Sequence, residues 1–154
     1  MTTSRRNFLK NTLSSAIVLI TGAVVLSQRG LADWSKTAFA AENTEDALMA
    51  LFNDSDTTIS DKITIASPEI AENGKVVPVE VTADLPQVES ITLFSEKNPV
   101  PLVAQFNFSG RAKGWVKTRI KMAETGKVIA VVKANGKLYQ ASREVKVTVG
   151  GCGG

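Results

Sequence analysis

Residues 127–149 read KVIAVVKANGKLYQASREVKVTV, and this stretch decides the fold. Apolar and polar side chains alternate on both sides of Asn135-Gly136, a dipeptide that favours the tight turn of a two-residue β-hairpin. Strands with this alternation bury one face and expose the other. The stretch therefore predicts two antiparallel strands near the end of a β-rich domain.

The same alternation recurs upstream, where turn residues separate the apolar segments. These segments are KITIAS (62–67), KVVPVEVTAD (75–84), SITLFSE (90–96), LVAQFNFSG (102–110) and GWVKTRIKM (114–122). In KVVPVEVTAD the alternation places Val77, Val79 and Val81 on one face, and Pro78 on the opposite face predicts an edge strand. About seven closely spaced strands indicate an immunoglobulin-like antiparallel β-sandwich, with a small barrel as the alternative.

One short helix is predicted ahead of the strands, in NTEDALMALFN at 43–53. Asn43 or Thr44 can cap it, and acidic side chains follow in the first turn, where the helix dipole favours them. Its apolar stripe consists of Leu48, Leu51 and Phe52. The stripe either docks on the domain's own core or forms part of a subunit interface.

The N-terminal residues are typical of an export signal. SRRNFLK at 4–10 precedes an apolar run at 13–26 and a small-x-small site at 38–40, which predicts cleavage after Ala40. The run is shorter than the ~20 residues of a spanning helix, so no membrane anchor is expected. Because SRRNFLK resembles the twin-arginine signal, which exports folded proteins, we expect a periplasmic protein. The predicted organisation is a signal at 1–40, a domain at 41–149 and an arm at 150–154.

Charge and composition exclude several classes of function. The chain has 18 basic and 15 acidic residues, but the basic excess lies in the predicted signal, so nucleic acid is not an expected partner. There is no histidine and one cysteine, which excludes Ser-His and Cys-His catalysis, imidazole metal sites and an internal disulfide. Asp54 and Asp56 lack the glycine and closing glutamate of a calcium loop. No catalytic residue, metal or cofactor is therefore predicted.

The two halves of the predicted domain differ in charge. Residues 41–96 contain two basic and twelve acidic residues, whereas residues 97–154 contain eleven basic and two acidic ones. The halves either interleave and cancel or leave one basic surface that steers an acidic partner. Such a surface would centre on Lys117, Arg119 and Lys121, whose spacing also fits an ordinary solvent-facing strand.

The single thiol lies within VTVGGCGG at 147–154. Glycine resists ordering, so a flexible arm is predicted, and at ~3.3–3.6 Å per residue the sulfur can lie roughly 10 Å beyond the strand end. An arm of backbone width can enter a narrow channel in another protein. The residues of this predicted arm are Gly150, Gly151, Cys152, Gly153 and Gly154.

This tail, the twin-arginine signal and a β-domain containing ASPEIAENGKVVPVEV at 66–81 together resemble the SoxY family of bacterial thiosulfate oxidation. The resemblance implies a carrier, not an enzyme, with Cys152 as the covalent attachment point for thiosulfate-derived sulfur and with no catalytic residue. It implies a heterodimer with a SoxZ-like subunit. It also implies partner enzymes that act on the bound sulfur group. These are a c-type haem SoxXA-like enzyme, a dimanganese SoxB-like hydrolase and, in many systems, a SoxCD-like sulfane dehydrogenase.

Two other uses of the tail are possible from the sequence. An unpaired Cys152 in an oxidising compartment can form an intermolecular disulfide, which would make the chain a structural or interaction protein. Ubiquitin-like sulfur carriers also end in two glycines, as Gly153 and Gly154 do here. Export and the missing helix of that fold argue against the second use.

Overall fold

A computed structural model describes residues 35–150 of the chain. Residues 1–34 of the predicted signal (1–40) and residues 151–154 of the predicted arm (150–154) lie outside this range. The helix α1 spans Thr44–Phe52, after a short 3₁₀ turn at Ala38–Ala40. The strands are β1 (Thr58–Ile59), β2 (Ile63–Ala66), β3 (Ile70–Asn73), β4 (Val77–Ala83), β5 (Val88–Ser95), β6 (Leu102–Asn107), β7 (Trp115–Ile120), β8 (Gly126–Ala134) and β9 (Lys137–Val149).

The strands form two sheets, which confirms the predicted immunoglobulin-like sandwich. The larger sheet has the order β1-β9-β8-β5-β6, with β3 also paired to β9, and the smaller sheet has the order β2-β4-β7. Their facing sides enclose the main core, because alternate residues of each strand point inward. Val77, Val79 and Val81, which the sequence places on one face, are all buried there.

The predicted hairpin at Asn135-Gly136 joins β8 to β9. Both residues have positive φ, 50° and 70°, as a tight hairpin turn of this sequence requires. The pairing runs antiparallel from Ala134↔Lys137 to Gly126↔Val145. β9 continues for four residues past this pairing, and this extension leads to the arm.

Two short pairings depart from the antiparallel prediction. β1 and β3 both run parallel to β9, with Thr58 opposite Tyr139 and Ile70 opposite Lys146. Hairpins impose antiparallel pairing only on strands that follow each other directly. These segments are far from β9 in sequence, so nothing local fixes their direction.

The prediction that Pro78 marks an edge strand is wrong for β4 as a whole, because β4 lies between β2 and β7. It holds locally. β2 pairs with β4 only over Glu80–Ala83, whereas Pro78 lies opposite Arg119 of β7 and has no partner on the β2 side. Proline lacks an N–H, so it is tolerated where one side of the strand is unpaired.

The helix docks on the domain's own larger sheet, as the first of the two interpretations predicted. Asn43 caps α1, and its Oδ1 accepts a hydrogen bond from the N–H of Asp46 at 2.8 Å. Leu48 is buried in a second apolar cluster with Phe94 and Val131 of the sheet. This cluster covers the side of the larger sheet that faces away from the main core.

The 3₁₀ turn before the helix belongs to the same second cluster. Ala38 is fully buried in it, and Phe39 and Ala41 are partly buried against it. The cleavage predicted after Ala40 would therefore remove a packed residue from the domain. That cleavage site stays a prediction.

Candidate functional site

The site of interest is the arm root, which we define as the end of β9 with the two backbone segments beside it, residues 73–76 and 121–123. β3 runs beside the end of β9, and Asn73 lies opposite Val149. The N–H of Gly74 donates to the carbonyl oxygen of Val149 at 2.8 Å. The last residue of the strand is thus held by the turn that follows β3.

The same turn is bonded to the segment after β7. The N–H of Met122 donates to the carbonyl oxygen of Gly74 at 2.7 Å, and Met122 is buried in the main core. Gly74 therefore joins the end of β9 on one side to residues 121–123 on the other. The arm leaves the domain from a place that three chain segments hold together.

Gly150 continues this ordered region. A Cβ built on Gly150 would overlap the carbonyl oxygen of Ala123, so no other residue fits here unless the backbone moves. The sequence predicted that Gly150 belongs to the flexible arm, and this assignment stays a prediction. The structure adds a packing reason for glycine at this position, separate from flexibility.

Ala123 is itself held by a side chain that the sequence analysis treated only as part of a turn. Asn98 Oδ1 accepts from the N–H of Ala123 at 2.8 Å, and Asn98 Nδ2 donates to the carbonyl oxygen of Lys121 at 2.9 Å. Asn98 Oδ1 also accepts from Ser95 Oγ at 3.1 Å. The sequence signal was the turn dipeptide Asn98-Pro99, which does not show what the side chain contacts.

Two valine side chains remain exposed at the arm root. Val149 is 62% exposed and Val76 is 54% exposed. Val76 belongs to the turn that begins at Asn73, the register partner of Val149, and its N–H donates to the carbonyl oxygen of Asn73 at 3.3 Å. The sequence analysis gave Val76 no role.

The predicted basic stripe faces solvent on β7. Lys117 Nζ lies 3.2 Å from Glu80 Oε2, whereas Arg119 and Lys121 are exposed and form no ion pair within residues 35–150. Trp115 Nε1 donates to the other carboxylate oxygen of Glu80 at 2.9 Å. This hydrogen bond and the one from Lys117 hold the pKa of Glu80 below its usual value.

A second ion pair also joins the acidic and basic halves of the domain. Lys133 Nζ lies 3.2 Å from Glu89 Oε2, and the backbone N–H of Gly136 donates to Glu89 Oε1 at 2.8 Å. The Gly136 bond and then the Lys133 bond lower the pKa of Glu89. At these two places the halves interleave, as one of the two interpretations predicted.

A cleft of about 740 Å³ lies at the other end of the domain. It is lined by Asp84, Leu85, Val88, Arg111, Lys113 and Trp115, among others. Val88 pairs with Ala134 at the hairpin end of β9, and the thirteen residues of β9 separate that end from the arm root by about 40 Å. The cleft is therefore far from the arm root.

Within residues 35–150 no cluster of three or more acidic, cysteine or histidine side chains could hold a metal ion. Asp54 Oδ1 instead accepts from the N–H of Asp56, a local turn bond. In the same range, no helix has the length and apolar character that crossing a membrane requires.

Comparison with known protein families shows to which family the chain belongs. The family described as sulfur oxidation protein SoxY matches residues 48–152, which extend from α1 to Cys152. The chain belongs to the SoxY family. No curated protein sequence matches it.

Solved structures agree with this family assignment. The sulfur carrier protein SoxY from Chlorobium limicola f thiosulfatophilum is 45% identical, with a TM-score of 0.62, over 68% of this chain and 94% of that one. A superoxide reductase (neelaredoxin) from Ignicoccus hospitalis is 21% identical, with a TM-score of 0.52, over 59% of this chain and 94% of that one. The second likeness shows the fold alone. The predicted SoxY resemblance is confirmed, and the family is one of sulfur carriers rather than enzymes.

Proposed function

We propose that this chain is a periplasmic sulfur carrier that holds thiosulfate-derived groups on Cys152 and presents them to partner enzymes. The observation that carries the proposal is the position of the single cysteine. It lies two residues beyond Gly150, among three other glycines that follow the end of β9 in sequence. The nearest titratable side chain along the chain belongs to Lys146, six positions before the cysteine.

The proposed chemistry takes place in two steps on the same sulfur. The Cys152 thiol and thiosulfate form an S–S bond, which releases one proton and two electrons to a c-type haem SoxXA-like enzyme. Water then attacks the terminal sulfonate in a dimanganese SoxB-like hydrolase, releasing sulfate and leaving a persulfide on Cys152. A SoxCD-like sulfane dehydrogenase would oxidise that remaining sulfur.

A carrier of this kind needs no acid, base or metal of its own, because each partner supplies them. The composition supports this proposal in one respect, because the chain contains no histidine that could serve as such a base or ligand. The twin-arginine pattern at 4–10 supports export of a folded chain, and a SoxZ-like subunit is the proposed partner within the exported heterodimer.

The decisive experiment is intact-mass spectrometry of the protein purified from the periplasm of cells grown on thiosulfate. We expect a thiosulfonate or persulfide adduct, which peptide fragmentation places on Cys152. The Cys152→Ser variant should show the same unfolding temperature and no adduct. A disulfide-linked pair of chains with no sulfur adduct would instead support the structural alternative.

A second experiment tests the route and the partner. Replacing Arg5 and Arg6 by lysine should retain the chain in the cytoplasm, together with any small β-protein that copurifies with the wild type. Normal export of the double-lysine variant would contradict the twin-arginine route.

A further inference from the structure

The chain contains two Asn-Gly pairs, at residues 73–74 and 135–136, and this dipeptide is chemically labile. The backbone nitrogen of the glycine can attack Cγ of the preceding asparagine, because glycine has no side chain to hinder ring closure. The attacking N–H gives up its proton, ammonia leaves, and water then opens the resulting succinimide to aspartate or isoaspartate. Water is the only co-reactant, so the surroundings of each pair decide how fast it reacts.

The first pair, at the arm root, is arranged in a way that favours this attack. Asn73 Oδ1 accepts a hydrogen bond from the backbone N–H of Lys75 at 2.9 Å. A donor at this oxygen stabilises the negative charge that develops on it when a nucleophile adds to Cγ. The attacking nitrogen belongs to Gly74, and its N–H donates to a neutral acceptor, the carbonyl oxygen of Val149, at 2.8 Å.

The second pair, in the β8–β9 hairpin, is protected at both reacting atoms. Asn135 forms its hydrogen bond through the amide nitrogen, since Nδ2 donates to the carbonyl oxygen of Pro86 at 3.4 Å. The N–H of Gly136 donates to Glu89 Oε1 at 2.8 Å. Removing the proton from this nitrogen would place a second negative charge beside a carboxylate. The hairpin pair should therefore react more slowly than the pair at the arm root, although both of its residues are exposed.

We propose that Asn73 is a site of spontaneous deamidation and that the attachment of β9 controls the reaction. Gly74 is buried, and its nitrogen becomes available when the bond to Val149 opens. Once the succinimide has formed, Gly74 has no N–H, so that bond cannot form again. Isoaspartate adds one methylene group to the backbone ahead of Gly74, which displaces this residue from its partners Val149 and Met122. The modification therefore loosens the arm root.

Peptide mapping by mass spectrometry tests the site, using the exported wild-type protein incubated in mildly alkaline buffer. The replacement of NH₂ by OH is assigned to a residue by fragmentation, and we expect about tenfold more conversion at Asn73 than at Asn135. Asn73→Gln should abolish the first signal, because glutamine must close a larger ring, while Asn135 serves as the internal control. Equal conversion at the two sites, or faster conversion at Asn135, would overturn the proposal.

Asn98→Ala tests the control by β9, because this variant loses the hydrogen bonds that hold residues 121 and 123 beside the arm root. More frequent opening should raise the conversion at Asn73 about fivefold and leave Asn135 unchanged. An unchanged rate at Asn73, or an equal rise at both sites, would overturn the link between β9 and the modification. No partner enzyme enters these measurements, so their outcome is independent of the carrier function.

Discussion

The side chain of Asn98 forms hydrogen bonds with the backbone of Lys121 and of Ala123, on either side of Met122. The shorter of the two is the bond that Oδ1 accepts from the N–H of Ala123 at 2.8 Å. Twenty-five residues separate Asn98 and Ala123 in sequence. Because the carbonyl oxygen of Ala123 faces Gly150, this one side chain helps to set where β9 ends and the cysteine arm begins.

Replacing Asn98 by alanine should loosen the arm root. The variant loses the acceptor for Ala123 and the donor to Lys121, and leaving the partly buried N–H of Ala123 without a partner costs about 1–3 kcal/mol. Urea unfolding should show this loss, and hydrogen exchange at the Ala123 amide should accelerate. Asn107→Ala is the control, because Asn107 is exposed at the end of β6. Equal stability of the two variants would contradict the role of Asn98.

Gly150 and Gly151 should respond differently to valine. Gly150→Val places a Cβ against the Ala123 carbonyl, so the end of β9 must shift, at a cost of about 1–3 kcal/mol. Gly151→Val should leave the unfolding temperature unchanged and instead block entry of the thickened arm into a partner's channel. Thermal unfolding separates the two variants, and turnover by the partner enzymes with unchanged thiol titration checks the second. Full turnover of Gly151→Val would mean that the width of the arm does not matter.

Trp115 should report the protonation of Glu80. Trp34 and Trp115 are the two tryptophans of the chain. In a protein that lacks residues 1–34, the tryptophan emission therefore comes from Trp115 alone. The hydrogen bonds from Trp115 and Lys117 lower the pKa of Glu80 from 4.5, so the emission of Trp115 should change as the pH falls below that value. In Glu80→Gln the same acid transition should be absent. A transition of equal size in that variant would assign it to another group.

The same carboxylate makes a small contribution to stability whose pH dependence has a definite sign. Because the folded state lowers the pKa of Glu80, its stabilising effect is present above the unfolded value and disappears as the pH falls through the folded value. The stability difference between the wild type and Glu80→Gln should therefore be largest near neutral pH and vanish in acid. Urea unfolding of both proteins at pH 7 and below pH 4 measures it, with Glu72→Gln as an exposed control. A difference that grows in acid would reverse the sign.

The residues before the helix should contribute to stability. A chain that begins at Ser35 keeps Ala38 and Phe39 in the second apolar cluster, whereas one that begins at Ala41 loses both. We expect the shorter form to be less stable by about 1–3 kcal/mol. Thermal unfolding of the two forms tests this, and N-terminal sequencing of the exported protein shows which form the cell makes. Equal unfolding temperatures would show that the 3₁₀ turn adds nothing to the domain.

Much of the fold follows from the sequence because its signals are local. Period-two alternation requires only neighbouring residues, and it correctly grouped Val77, Val79 and Val81 on one face of β4. Asn135-Gly136 fixed the last hairpin for the same reason, since positive φ at two successive positions suits few other pairs. The edge assignment from Pro78 was wrong for the strand, because the number of neighbours of a strand depends on segments elsewhere in the chain.

At the arm root, too, some features follow from the sequence and others depend on the tertiary structure. Sequence alone determined that one cysteine lies among glycines next to a strand, and this pattern is the basis for predicting a carrier arm. Only the tertiary structure decided that Gly74, Asn98 and Ala123 meet at the end of β9 and that two valines stay exposed beside it. Gly74, Asn98 and Ala123 are at least 24 positions apart along the chain, and their contacts depend on strand register, which no local pattern encodes.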